Sequence, residues 1–136
     1  MIKLIVGLKG SGKTKTLIEM VNNALETTNG SVVCIEKGNK LIHEINYRAR
    51  LIDTDEYMVC DGQSLFGFVA GISASDHDLT HIFIDSALKI CKNDMEAFDT
   101  FMCEIEKFAA DKTIDFVFTS SISPDDVSDR FKHYIV

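Results

Sequence analysis

Apolar and polar positions along the chain fall into two alternating rhythms. Ile2 to Val6 is an apolar run broken only by Lys3 and stopped by Gly7, which predicts a short buried strand leading into a loop. Leu17, Ile18, Val21, Ala24 and Leu25 then recur at three- and four-residue spacing, so an amphipathic helix is expected over Lys13 to Leu25, closed by the turn signal Asn29-Gly30. Ser31 to Glu36 ("SVVCIE") predicts a second strand from its β-branched content, followed by the polar loop Lys37 to Lys40. A short helical pattern at Leu41, Ile42 and Ile45 comes next. Arg48 to Ile52 and Tyr57 to Cys60 read as extended segments flanking an acidic turn at Asp53, Asp55 and Glu56.

From Asp61 onward the helical spacing returns at Leu65, Phe66, Val69 and Ile72, and "SASDHD" ends it. His81 to Asp85 ("HIFID") predicts a third strand, finishing on a carboxylate. Asp94 can cap a helix whose apolar face is Phe98, Phe101, Met102, Ile105, Phe108 and Ala109. Ile114 to Ser121 predicts a fourth strand ending in hydroxyls, and Ser123-Pro124 suits the start of a helical turn, with "HYIV" as a last strand. Strands alternating with helices predict an α/β fold, a mainly parallel sheet with helices on both faces.

At 136 residues the chain is sized for one compact domain, residues 1–136. The net charge of −7 and only three arginines provide no basic stripe for a nucleic-acid backbone, so nucleic acid is not expected as a partner. The longest apolar runs, Ile2 to Val6 and Leu65 to Ile72, are far shorter than the roughly 20 residues a membrane-spanning helix needs. "MIKLIVG" lacks a signal-peptide cleavage site, and a cytoplasmic location is expected. Cys34, Cys60, Cys91 and Cys103 form no Cys-x-x-Cys pair, which predicts free, mostly buried thiols and no metal site made of protein ligands alone.

The stretch "GLKGSGKT" carries the clearest chemistry. Gly7, Gly12, Lys13 and Thr14 meet the pattern G-x-x-x-x-G-K-[ST], here between a predicted strand and a predicted helix. Glycines let successive N–H groups turn inward as an anion nest, and the helix beginning near Lys13 adds its positive dipole end. Gly7, Leu8, Lys9, Gly10, Ser11, Gly12, Lys13, Thr14 and Lys15 are therefore expected to wrap a phosphate chain, Lys13 reaching the β- and γ-phosphates and the Thr14 hydroxyl ligating magnesium. A dinucleotide fingerprint is excluded, because Lys13, Thr14 and Lys15 stand where its third glycine would fall.

Strand, "GLKGSGKT", helix and the later "HIFID" resemble the Walker A and Walker B elements of P-loop NTPases, in the RecA-like branch. Short bacterial ATP-binding proteins described as similar to the twitching-motility ATPase, and more distantly thymidine kinases, are the nearest in pattern. The resemblance implies ATP and Mg²⁺ as cofactors, Asp85 holding the magnesium, and Thr119 or Ser120 sensing the γ-phosphate. It also implies that the strand carrying Thr119 lies between the Walker A and Walker B strands, in the order 5-1-4-3-2.

Many members of that branch place a glutamate directly after the Walker B aspartate to polarise the attacking water, whereas this chain has Ser86. Glu36, ending the neighbouring strand, is the candidate substitute, so Lys13 and Glu36 are the expected catalytic residues, with a solvated loop-end charge as the alternative role for Glu36. Arg48, Arg50 and Arg130 are the only candidates for an arginine finger. The implied function is an ATP-binding protein with slow or partner-stimulated hydrolysis, whose nucleotide state orders loops such as Lys37 to Lys40 or Ala74 to Asp78 and so governs a protein partner or a second copy. The competing functions are a small nucleoside-kinase-like phosphotransferase and an interaction module that binds nucleotide without turnover.

Overall fold

The computed structural model describes all residues, Met1–Val136. Five parallel strands form one sheet: β1 (Ile2–Gly7), β2 (Ser31–Glu36), β3 (Arg50–Asp53), β4 (Leu79–Ile84) and β5 (Asp115–Ser121). Four helices accompany them: α1 (Lys13–Thr27), α2 (Gly62–Ser75), α3 (Ala87–Ile90) and α4 (Met95–Ala109). The period-2 alternation of the strands divides the core between the two faces of the sheet. Ile5, Val32, Cys34, Phe83 and Val117 face α1, meeting Leu17, Val21, Ala24 and Leu25 together with Leu41 and Ile45. Leu4, Val33, Ile35, Ile82, Ile84, Phe116 and Phe118 face the other way, against Leu65 and Val69 of α2 and Phe98, Phe101, Met102 and Ile105 of α4. The result is a three-layer, P-loop NTPase-like α/β fold.

The strand order is β1-β5-β4-β2-β3, which departs from the expected 5-1-4-3-2 at both edges. On one edge, Arg50–Asp53 pairs in parallel with Val33–Glu36 and adds a strand beyond β2. On the other, "HYIV" does not become a strand: Asp129–Tyr134 winds into a 3-10 helix stacked on the core through Phe131. Only a single bridge from Ile135 to Leu4 remains beside β1. In the centre, β5 lies between β1 and β4, so the ends of these three strands stand side by side.

Three local expectations also change. Tyr57 to Cys60 is not extended, because Asp53 caps a 3-10 turn over Thr54–Tyr57 that ends at Met58 with φ +59°. Leu41 to Ile45 forms turns rather than a helix, although Leu41 and Ile45 are both buried against α1. Two of the four thiols, Cys34 and Cys91, are buried, whereas Cys60 is exposed and Cys103 half-buried. No helix is long and apolar enough to cross a membrane.

Candidate phosphate-binding site

β1 delivers the chain into the glycine loop at the carboxyl ends of the strands. Ser11 donates its backbone N–H to the Leu8 carbonyl at 3.1 Å, and the turn is so tight that a Cβ on Gly7 would stand 2.4 Å from the Ser11 Oγ. Gly12 has φ +86°, a left-handed conformation that costs glycine nothing, and it converts the loop into the first turn of α1. No side chain caps that helix, and its first turn holds no acidic residue. Its leading amides, which have no intrahelical acceptor, are left for an anion. The Lys13 ammonium donates to the Leu8 carbonyl at 3.0 Å, which curls the side chain back over the loop.

Asp85 follows β4 directly, its N–H bonded to the Ile35 carbonyl at 2.8 Å. Its Oδ1 accepts from the Thr14 hydroxyl at 3.3 Å and from the Thr119 hydroxyl at 2.7 Å, so three elements converge on one oxygen. Thr119 in turn accepts the Ser86 N–H at 2.7 Å, and Ser120 accepts the Leu88 N–H at 3.3 Å. Both hydroxyls are fully buried and tie β5 to the start of α3. Ser86 itself adopts a left-handed conformation, φ +58°.

Around these groups opens a depression of about 580 Å³ lined by Lys9, Gly10, Gly12, Lys13, Thr14, Lys15, Lys40, Ser86, Lys89 and Ser121. It has no apolar and no acidic lining residue. Five lysines stand together here in a chain whose net charge is −7. Such a surface concentrates anions.

The loop residues Gly7 to Lys15, together with Asp85 and Thr119, are thus brought together, while the others go elsewhere. Glu36 is only 3% exposed and is not a solvated charge; its two carboxylate oxygens each accept a backbone N–H at 3.0 Å, from Lys40 and Leu41. Burial raises its pKa above the ordinary glutamate value, the two amides oppose that rise, and the nearby charges of Asp85 and Asp53 add to it. Arg130 pairs with Glu106 at 3.0 Å. Arg50 opens β3, three residues before its end, which puts it roughly 10 Å down the strand from the carboxyl end of the sheet. Arg48 lies earlier still. None of the three arginines lines the depression. The Ala74 to Asp78 loop leads into the amino end of β4, the far end of the sheet.

Sequence reasoning missed Lys40, Lys89 and Ser121 as lining residues. Ser121 had a usable signal, since the register of β1 on β5 sets it opposite Gly7, two positions beyond Thr119. Lys40 belongs to the Lys37 to Lys40 loop, expected to respond to the nucleotide but not singled out as a lining residue, and Lys89 had no signal, because its place depends on how the turn after β4 folds back.

No family model matches the chain, and no curated protein does. Among solved structures, the chain is similar to domain III of the replication initiation protein DnaA from Thermotoga maritima, with a TM-score of 0.51 and 13% identity. The alignment covers 98% of this chain and 50% of that one, so the chain spans about half the length of that structure. At this identity the likeness concerns the fold.

Proposed function

We propose that the chain binds a magnesium–nucleoside triphosphate, ATP being the first to test, and that it turns this ligand over slowly, its nucleotide state acting as a switch. The observation that carries the reading is the hydrogen bond at 3.3 Å between Thr14, which lines the lysine- and glycine-rich depression, and Asp85, 71 positions away in the chain and directly behind that lining. The loop amides and the helix start would take the phosphate oxygens, and Lys13 would leave the Leu8 carbonyl for the β- and γ-phosphates. Nucleotide binding also agrees with the fold, since open parallel sheets of this kind bind ligands at the carboxyl ends of their strands.

The donor set suits a hard cation that arrives with the phosphates. Thr14 and Asp85 supply a hydroxyl and a carboxylate, and no group of three protein ligands is present to cage a metal alone. When bound, magnesium would neutralise charge on the phosphate oxygens. Slow turnover follows from what surrounds the terminal phosphate: no carboxylate lines the depression, and Ser86 occupies the place of a water-polarising glutamate. That same feature favours a second reading, nucleotide binding with no turnover at all.

Calorimetry with magnesium-ATP, followed by measurement of phosphate release, separates the two. Lys13→Ala should weaken triphosphate binding by tenfold or more, and Asp85→Asn should reduce the magnesium dependence of binding. Equal affinity in wild type and Lys13→Ala would refute the phosphate-loop reading, and binding without release would select the second reading.

A further inference from the structure

An arginine finger can contribute roughly 10³ to 10⁵ to turnover in NTPases that use one, yet no arginine reaches this depression. Its cations beyond the glycine loop and the start of α1 are Lys40 and Lys89. The two are held differently. Lys89 sits on the four-residue helix α3, tied to β5 by the Ser86 and Leu88 amides, whereas Lys40 belongs to a loop held by a buried carboxylate as well as by surface contacts. The Gly38 N–H donates to Asp53 Oδ1 at 2.8 Å, and Lys37 pairs with Asp55 at 2.6 Å. Lys40 and Leu41 donate their N–H groups to the two oxygens of the buried Glu36, and Leu41 packs in the same apolar cluster as Leu17, one turn into α1. The backbone of Lys40 is therefore fixed relative to the glycine loop by groups on β2, β3 and α1.

We propose that Lys40, held in place by the Glu36 carboxylate, contacts the terminal phosphate from within the same chain and so lets the site distinguish a triphosphate from a diphosphate. The inference rests on the phosphate-loop reading above and assigns the buried glutamate a positioning role. A carboxylate kept out of water is retained at a cost unless its oxygens are fully engaged, and here they are spent on two amides of a single loop. That expenditure makes sense if the loop must stand still. Lysine suits the role as a compact charge on a long stem, reaching over the rim without the planar geometry an arginine needs.

The test is a comparison of magnesium-ADP with a non-hydrolysable magnesium-ATP analogue by calorimetry, repeated with the guanine pair, on the wild type, Lys13→Ala, Lys40→Ala, Lys40→Arg, Lys89→Ala and Glu36→Gln. Lys40→Ala should lower triphosphate affinity by about tenfold or more while leaving diphosphate affinity within about twofold, and Lys40→Arg should restore part of the difference. Glu36→Gln, whose amide can accept only one of the two bonds, should reproduce the loss in part, and adding it to Lys40→Ala should cause little further loss. Lys13→Ala should depress both nucleotides. Equal losses for triphosphate and diphosphate in Lys40→Ala, or discrimination lost in Lys89→Ala alone, would overturn the assignment to Lys40 while leaving the phosphate loop standing. Failure of the wild type to bind any of the four nucleotides would remove both.

Discussion

Glu36, expected either to act on water or to stand as a solvated charge, is instead buried with both oxygens bonded to backbone amides. Its position at the end of β2 is local and legible, but the direction of its carboxylate depends on Gly38, whose φ of +101° folds the loop back over the strand end. The raised pKa has a consequence for stability. Between the ordinary glutamate pKa of about 4.5 and the higher folded value, the folded protein binds more protons at this site than the unfolded chain does. The contribution of Glu36 to stability therefore improves as pH falls through that window and is least favourable above it. Denaturation midpoints of wild type and Glu36→Gln, compared from neutral pH down through the ordinary glutamate value to about pH 4, should show the wild type gaining relative to the variant. An unchanged difference across that range would mean that Glu36 is not shifted. Buried Cys34, close to both Glu36 and Asp85, is pushed the same way by burial first and by those two charges second, which keeps it a thiol.

Among the elements, those with strong local periodicity were the ones that could be foreseen. Helices α1 and α4 declare themselves by apolar residues every three or four positions, and Asp94 caps α4 by accepting from Glu96 and Ala97. The glycine loop is equally local, since its shape is written in consecutive residues. Arg48 to Ile52 reads as extended and overlaps β3, but the place of that strand beside β2 was not legible, and neither was the C-terminal 3-10 helix. Four residues of β3 gain meaning only by pairing with β2, and "HYIV" is diverted because Phe131 is drawn into the core. That Lys40 itself lines the depression is non-local in the same way. Glycines offer a check at this scale. A Cβ on Gly30 would lie 2.1 Å from the Asp78 carbonyl oxygen, whereas Gly67 and Gly71, in the middle of α2, have nothing within 4 Å. Gly30→Ala should therefore lower the melting temperature sharply. Gly67→Ala and Gly71→Ala should each raise stability by up to about 1 kcal/mol through helix propensity, as read by denaturant titration. The reverse ranking would contradict the packing of β4 against the α1–β2 turn.

Taken whole, the molecule is unevenly filled. The face carrying α2 and α4 holds Phe98, Phe101, Phe116, Phe118 and Phe131, all fully buried, with Phe101 and Phe118 edge-to-face at 5.6 Å. The α1 face holds a smaller cluster that reaches up to the phosphate loop. Phe118→Ala should cost about 3–5 kcal/mol, seen as a large drop in the urea midpoint, because it empties the layer between β5 and α4. A loss below about 1 kcal/mol would show that this layer collapses to fill the space.

Gathering five ammonium groups into one hollow leaves the rest of the surface more acidic than the overall charge of −7 conveys. Such a chain has a lopsided electric field: small polyphosphates are repelled over most approaches and drawn in over one. Their capture should be fast in dilute buffer and slow steeply as added salt shortens the reach of that field to about 10 Å or less. Once a magnesium–triphosphate is seated, part of the positive charge of the hollow is offset, and the occupied molecule carries more net negative charge than the empty one to whatever it next encounters.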